Sequence, residues 1–232
     1  MRPAAQHRFT TLPVAYEFQC ATELTTPTLP PSPRAISNSA RGAGFKMDIK
    51  LPEWVVTELR TSHAGEAGAT WIYKGASLAA QLRGHSAEFK AFVSEHHDTE
   101  AGHFEQFDSL LEPAQRSSLL PLWRGAGFAV GFASALVSEE QMYLTTRHVE
   151  SFVVEHLQHQ IDTIEHRPRT REQFASLRAM LEQIRDDEAH HKDEGSRLAV
   201  VASDDDLSPA QRAWADVVKA GSAGAVSVAR WV

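Results

Sequence analysis

The sequence predicts an all-α protein, a four-helix bundle with an additional C-terminal helix. Three observations predict it. Long stretches with helical apolar spacing alternate with Pro- and Gly-marked breaks from Leu51 onward. Almost no segment shows the strict alternation of a strand. A short pattern, Glu-x-x-His, occurs once in each of two of these helical stretches.

The elements follow in order. Pro52 suits a first helical turn, where no amide hydrogen bond is lost, so the first helix runs from about Pro52 to Leu82 and ends near Gly84. A second is expected from about Ala87 to Leu111, stopped by Pro113. A third is expected from after Pro121 to Glu165, bent in its Gly-rich first part and broken by His166, Arg167 and Pro168. The fourth covers about Arg171 to Leu198, SDDDLSPAQ (203–211) forms a loop and cap, and Gln211 to Val232 closes the fold despite Gly221 and Gly224.

Residues 1–46 differ in composition. TTPTLPPSPR and SNSARGAG cannot hold a packed helix, which predicts a flexible extension or a targeting segment ahead of a folded domain at 47–232. Residues 1–47 hold five Arg/Lys and two Glu, whereas the remainder holds 18 Arg/Lys against 28 Asp/Glu. An acidic domain is a poor partner for nucleic acid and a reasonable host for cations. The single Cys20 excludes an internal disulfide and, with no CxxC, a thiolate metal cluster. No 18-residue window is continuously apolar; Gly125–Ser138 comes nearest and reads as a buried or interfacial helix.

The chemistry lies in the repeated motif. Glu100-Ala-Gly-His103 stands in the second expected helix and Glu188-Ala-His-His191 in the fourth. Positions three apart share a helical face, so each pair points one way. The first helix offers Glu66 and the third Glu150. The order is then Glu, Glu-x-x-His, Glu, Glu-x-x-His, with 84 residues from Glu66 to Glu150 and 88 from Glu100 to Glu188. Ferritin-like bundles assemble a two-metal carboxylate site from such a set. Four carboxylates neutralise two divalent ions in a dry interior, and carboxylate with imidazole suits iron. Glu100 and Glu188 are expected to bridge, Glu66 and Glu150 to be terminal, and His103 and His191 to take one iron each.

Asp98 and Asp186, each two residues before a motif Glu, are expected either to orient the ligand histidines or to be solvated. His63, three before Glu66, could contact the site, and His156, six after Glu150, is placed at its periphery. His85, His96, His97, His148 and His166 read as surface or packing residues, and His190 as exposed. The small residues around Glu66 (Gly65, Ala67, Gly68, Ala69) allow a neighbouring helix or a substrate to approach closely. The run 121–142 could line an apolar channel, lie at a membrane interface, or simply pack tightly.

In LRTSHAGEAGATWIYKGA (59–76), EAGHFEQF (100–107), PLWRGAGFAVGFASAL (121–136), VESFVVEHLQHQ (149–160) and IRDDEAHHKDEG (184–195) the chain resembles the demethoxyubiquinone hydroxylase family, from about Leu51 to Val232. The resemblance implies iron at Glu66, Glu100, His103, Glu150, Glu188 and His191, with Glu66, Glu150 and His156 as catalytic residues. It implies hydroxylation of a demethoxyubiquinol-like lipid quinone by O2, with one oxygen atom entering the ring and the other leaving as water. The reductant would be NADH or another diffusible donor. The implied setting is a peripheral membrane one, on the cytoplasmic face of a bacterial inner membrane or the matrix face of the mitochondrial inner membrane. A lipid-presenting partner protein and a homo-oligomer fit that setting. Departures stand at Ser62 (usually Asp), Leu157 (usually Tyr), Ser222 (often Cys) and His190 (commonly Glu). The alternative is another ferritin-like di-iron trade: a ferroxidase, a peroxide scavenger, or an oxygenase on a different substrate.

Overall fold

A computed structural model describes residues 50–232 apart from Ala202, and no side chain is described for residues 168 and 169. The expected extension at 1–46 and its boundary lie outside the described residues.

Helix α1 (Glu53–Arg83) begins after Pro52 and stops at Gly84, which takes the left-handed conformation at φ 66° and returns its N–H to Ala80 and Gln81. Helix α2 (Ala87–Leu110) is capped by the Ser86 hydroxyl, which accepts from the Phe89 amide. The expected third helix is two. Helix α3 (Leu120–Val137) ends at Ser138, whose extended backbone (φ −170°, ψ 165°) turns the chain and whose hydroxyl caps α4 (Glu139–Glu165) through the Gln141 amide. The expected fourth helix starts four residues later, as α6 (Ala175–Leu198), and a short α5 (Pro168–Arg171) forms where the chain was expected to break. The closing helix α7 (Pro209–Ala229) starts two residues earlier than expected, because Ser208 and Gln211 form a capping box around Pro209. Buried Arg147 ties down the preceding loop through the Val201 carbonyl and Asp204.

The chain is all-α, a ferritin-like four-helix bundle of α1, α2, α4 and α6 with extra helices against it. Helix α1 packs on α2, α3 and α7, and α4 packs on α6, α3 and α7. The approach of α3 to α1 depends on missing side chains. A Cβ at Gly127 would overlap the Gly68 carbonyl, and one at Gly131 the Ile72 carbonyl. The small-residue run around Glu66 thus admits a neighbouring helix.

The apolar core forms two clusters. One gathers Tyr73, Phe89, Phe92, Met142 and Leu144; the other gathers Leu59, Phe107, Ile161, Leu181 and Ile184. In α1, α2 and α4 the residues between these clusters are buried and polar: Glu66, Glu100 with His103, and Glu150. Glu188 and His191 of α6 follow directly on its apolar run. Burying this polar layer is costly unless something neutralises it.

Candidate metal centre

Each ligand candidate is buried, at 4% exposure or less. Their donor atoms fall into two groups, Glu66–Glu100–His103–Glu188 and Glu100–Glu150–Glu188–His191, and within each group all lie within 4.8 Å of one another. Glu100 and Glu188 belong to both. His103 Nδ1 stands 2.7 Å from Glu188 Oε1, and His191 Nδ1 stands 3.1 Å from Glu188 Oε2 and 3.3 Å from Glu100 Oε1.

The electrostatics are those of a crowded carboxylate site. Burial, then the charges of Glu100 and Glu188, push the Glu66 carboxyl well above its usual range; burial, Glu188 and Glu100 do the same to Glu150. For Glu188 burial acts upward, but His103 and His191 outweigh it and hold the carboxyl at about 2. His191 is lifted to about 11 by Glu100 and Glu188 against the effect of burial. His103 is raised against burial by Glu188 and Asp187.

The residues fit a pair of divalent cations. Both Glu100 oxygens, Glu150 Oε2, Glu188 Oε1 and His103 Nδ1 are buried without a hydrogen-bond partner, although His103 Nδ1 and Glu188 Oε1 are close. Buried polar atoms that lie close together but are misaligned for hydrogen bonding are ligands in want of a cation. The two imidazoles face the carboxylates with Nδ1.

The surrounding residues differ from expectation in part. Asp98 and Asp186 are exposed, facing His97 and Arg185. At 100° per residue, a position two before a ligand points about 200° away from it. Asp187 orients His103 instead, its Oδ2 lying 3.3 Å from Nε2 and accepting that hydrogen. Tyr73, which the motif spacing does not mark, donates its hydroxyl to Glu150 Oε1 at 3.2 Å. Its separation of seven residues from Glu66, two turns on the same face, was the available signal. His63 belongs to neither donor group; it pairs with Asp108 at 3.0 Å and stacks on Phe104. Of the two readings of His96, packing holds: it is 1% exposed, with its ring centroid 4.2 Å from that of His191.

A cavity of about 280 Å³ lies among α1, α3, α4 and α7 and reaches Glu66 and Glu100. Its wall is largely apolar, including Ile72, Val130, Phe152 and Leu157. His156 stands in this wall, outside both donor groups. Its Nε2 is 2.8 Å from Thr61 Oγ1 and 2.9 Å from Gln160 Nε2, and burial holds the imidazole down to about 4. Among the described residues, α3 is long and apolar enough by length and composition to cross a membrane, and only 22% of it is buried.

A family model for ubiquinone biosynthesis protein COQ7 matches residues 53–229. The chain is 31% identical over 171 residues to the NADPH-dependent 3-demethoxyubiquinone 3-hydroxylase of Mus musculus, covering 72% of this chain and 73% of that one. It is 30% identical to the Homo sapiens protein of the same description, over 81% and 82% of the two chains. To the 3-demethoxyubiquinol 3-hydroxylase of Nitrosococcus oceani it is 29% identical, over 57% and 58%. With this match spanning the seven helices of the described residues, and two donor groups that share a pair of glutamates, the chain belongs to the COQ7, or demethoxyubiquinone hydroxylase, family of ferritin-like di-iron proteins.

Proposed function

We propose that Glu66, Glu100, His103, Glu150, Glu188 and His191 would hold two iron ions, with Glu100 and Glu188 common to both donor groups, and that the ring of a demethoxyubiquinol-like lipid is hydroxylated beside Glu66. The chain is a di-iron-dependent monooxygenase of ubiquinone biosynthesis, and the observation that carries this is the shared Glu100–Glu188 pair within a family match covering the whole bundle. When bound, the iron pair supplies the reduction of O2 that no amino-acid side chain can perform.

The protein's own residues supply position, charge and dryness. Tyr73 fixes Glu150 by its Oε1 and leaves Oε2 for the cation. Asp187 fixes the His103 ring with Nδ1 inward. The apolar cavity excludes water and accepts an aromatic ring against Glu66, while Thr61, Ser62 and His156 offer hydrogen bonds along its wall. Glu66, Glu150 and His156 are the residues assigned to catalysis, the first two at the metal and the third toward the substrate.

The exposed apolar side chains Leu122, Leu136 and Val137 of α3 support association with a membrane surface, as does exposed Val217 on α7, whose neighbour Val218 lines the cavity. This suits a lipid quinone that enters from the bilayer, on the cytoplasmic face of a bacterial inner membrane or the matrix face of the mitochondrial one. A partner that presents the lipid, and self-association into a homo-oligomer, belong to the same reading. The reductant is NADH or a related diffusible donor; the two mammalian relatives are described as NADPH-dependent.

Anaerobic loading with Fe²⁺ followed by addition of a reduced short-chain quinol analogue and ¹⁸O₂ tests the proposal. Two irons per chain and one labelled oxygen in the product ring are expected. Iron uptake followed only by ferric mineral would make the chain a ferroxidase, and label absent from the ring would remove the hydroxylase reading.

A further inference from the structure

Helices α2 and α6 face each other through successive pairs that alternate imidazole and carboxylate. His103 on α2 meets Glu188 on α6 at 2.7 Å, and one turn along both helices Glu100 meets His191 at 3.3 Å. The series does not stop there. One further turn along both helices, His96 meets Glu194 at 3.7 Å. At the other end the next positions are Phe107 and Ile184, both in the apolar cluster, so the ladder of donors is closed on that side. On the His96 side it runs outward to Glu194, whose side chain is 25% exposed.

His96 has an unusual electronic setting. Its Nδ1 lies 2.9 Å from the Phe92 carbonyl, which can only accept, so Nδ1 carries the hydrogen and Nε2 presents a bare lone pair. That lone pair is buried with no hydrogen-bond partner, in a side chain only 1% exposed. The Glu194 oxygen beside it is beyond hydrogen-bond reach, while the other Glu194 oxygen is engaged by Arg197 at 3.3 Å. Two acceptors facing each other in a half-dry setting repel unless a cation stands with them.

The centre also needs an entrance for charge. The cavity on the Glu66 side is apolar, and stripping a hydrated divalent ion to cross it is costly. We propose that His96 Nε2 and Glu194 Oε2 form an outer divalent-cation site, with water in the remaining positions, through which iron passes to Glu100 and His191. This rests on the reading of the centre as an iron site. Imidazole with carboxylate suits Fe²⁺ and its neighbours in the first transition row. Only two protein donors make a transient holding point rather than a third resident site.

The test is anaerobic uptake of Co²⁺ by the metal-free full chain, followed in time by visible absorption, with final metal content measured after desalting. His96→Phe keeps an aromatic ring against Phe92, and Glu194→Gln, at the rim, serves where the buried change impairs folding. Both variants are expected to reach two ions per chain, but about tenfold or more slowly than the wild type. The double variant is expected to be no slower than His96→Phe alone. Loading of both variants at the wild-type rate overturns the entry site while leaving the centre intact. A wild-type chain that takes up no Co²⁺ or Fe²⁺ overturns the metal reading beneath it.

Discussion

Tyr73 and Glu150 stand 77 positions apart in sequence and meet at 3.2 Å, phenol hydroxyl to carboxylate oxygen, inside a layer otherwise made of ligand candidates. The hydroxyl is the one uncharged donor that fixes which Glu150 oxygen is left over. Tyr73→Phe removes it with almost no change of shape. A second metal equivalent is expected to bind about tenfold more weakly, while the first is little changed. Calorimetric titration with Co²⁺ checks this; two equivalents bound as in the wild type would reduce Tyr73 to a packing residue.

Glu150 belongs to one donor group only, with Glu100, Glu188 and His191. Glu150→Ala is expected to lower iron content from two toward one per chain and to abolish ring hydroxylation. Iron analysis with the ¹⁸O₂ assay reads both. Full iron content with normal turnover would remove Glu150 from the ligand set.

His156 gives a prediction in pH. Burial lowers its imidazole from an ordinary 6.5 to about 4, so between those values the unfolded chain binds a proton that the folded chain refuses. Stability from this group is complete above about pH 6.5 and is lost as pH falls through about 4. His96, His63 and His148 are lowered as well and act in the same direction, so the comparison must isolate one group. Urea unfolding of His156→Gln at several pH values is expected to show a shallower loss of stability from pH 6.5 to 4 than the wild type. Parallel curves would show that His156 takes up its proton equally in both states.

The α1–α3 seam predicts opposite signs for two glycine changes. Gly127→Ala places a methyl group on the Gly68 carbonyl and is expected to cost about 1–3 kcal/mol. Gly224→Ala, in α7 with open space around the new methyl, is expected to add about 0.5–1 kcal/mol. Chemical denaturation of the two variants gives both numbers, and equal effects would mean that the seam opens freely.

Much of the site was legible because spacing encodes it. Glu-x-x-His on two helices and single glutamates on two others place six side chains at one level, and the structure brings their donor atoms together. The seam was legible from the small residues around Glu66. The break at Ser138 was not read, because apolar spacing runs up to it and charged spacing resumes after it. The cap was nevertheless present in the sequence, a serine three residues before Gln141. Asp187 was missed in favour of Asp186 because matching offsets in two helices suggested a role that helix rotation forbids. His96 needed the third dimension: its carboxylate partner lies on another helix, 98 positions away.

The carboxylate layer, set between two oily clusters, ties the lifetime of the molecule to metal supply. Ions that bind only the folded chain lend it their affinity, about 2.7 kcal/mol for one site at a hundredfold excess over its dissociation constant. Starved of iron, the bundle is weakest at its waist, where four carboxyl groups and two imidazoles are buried together with only protons to balance them. Scarcity of the cation would then remove the enzyme twice over, by idling each copy and by exposing the idle copies to unfolding and proteolysis.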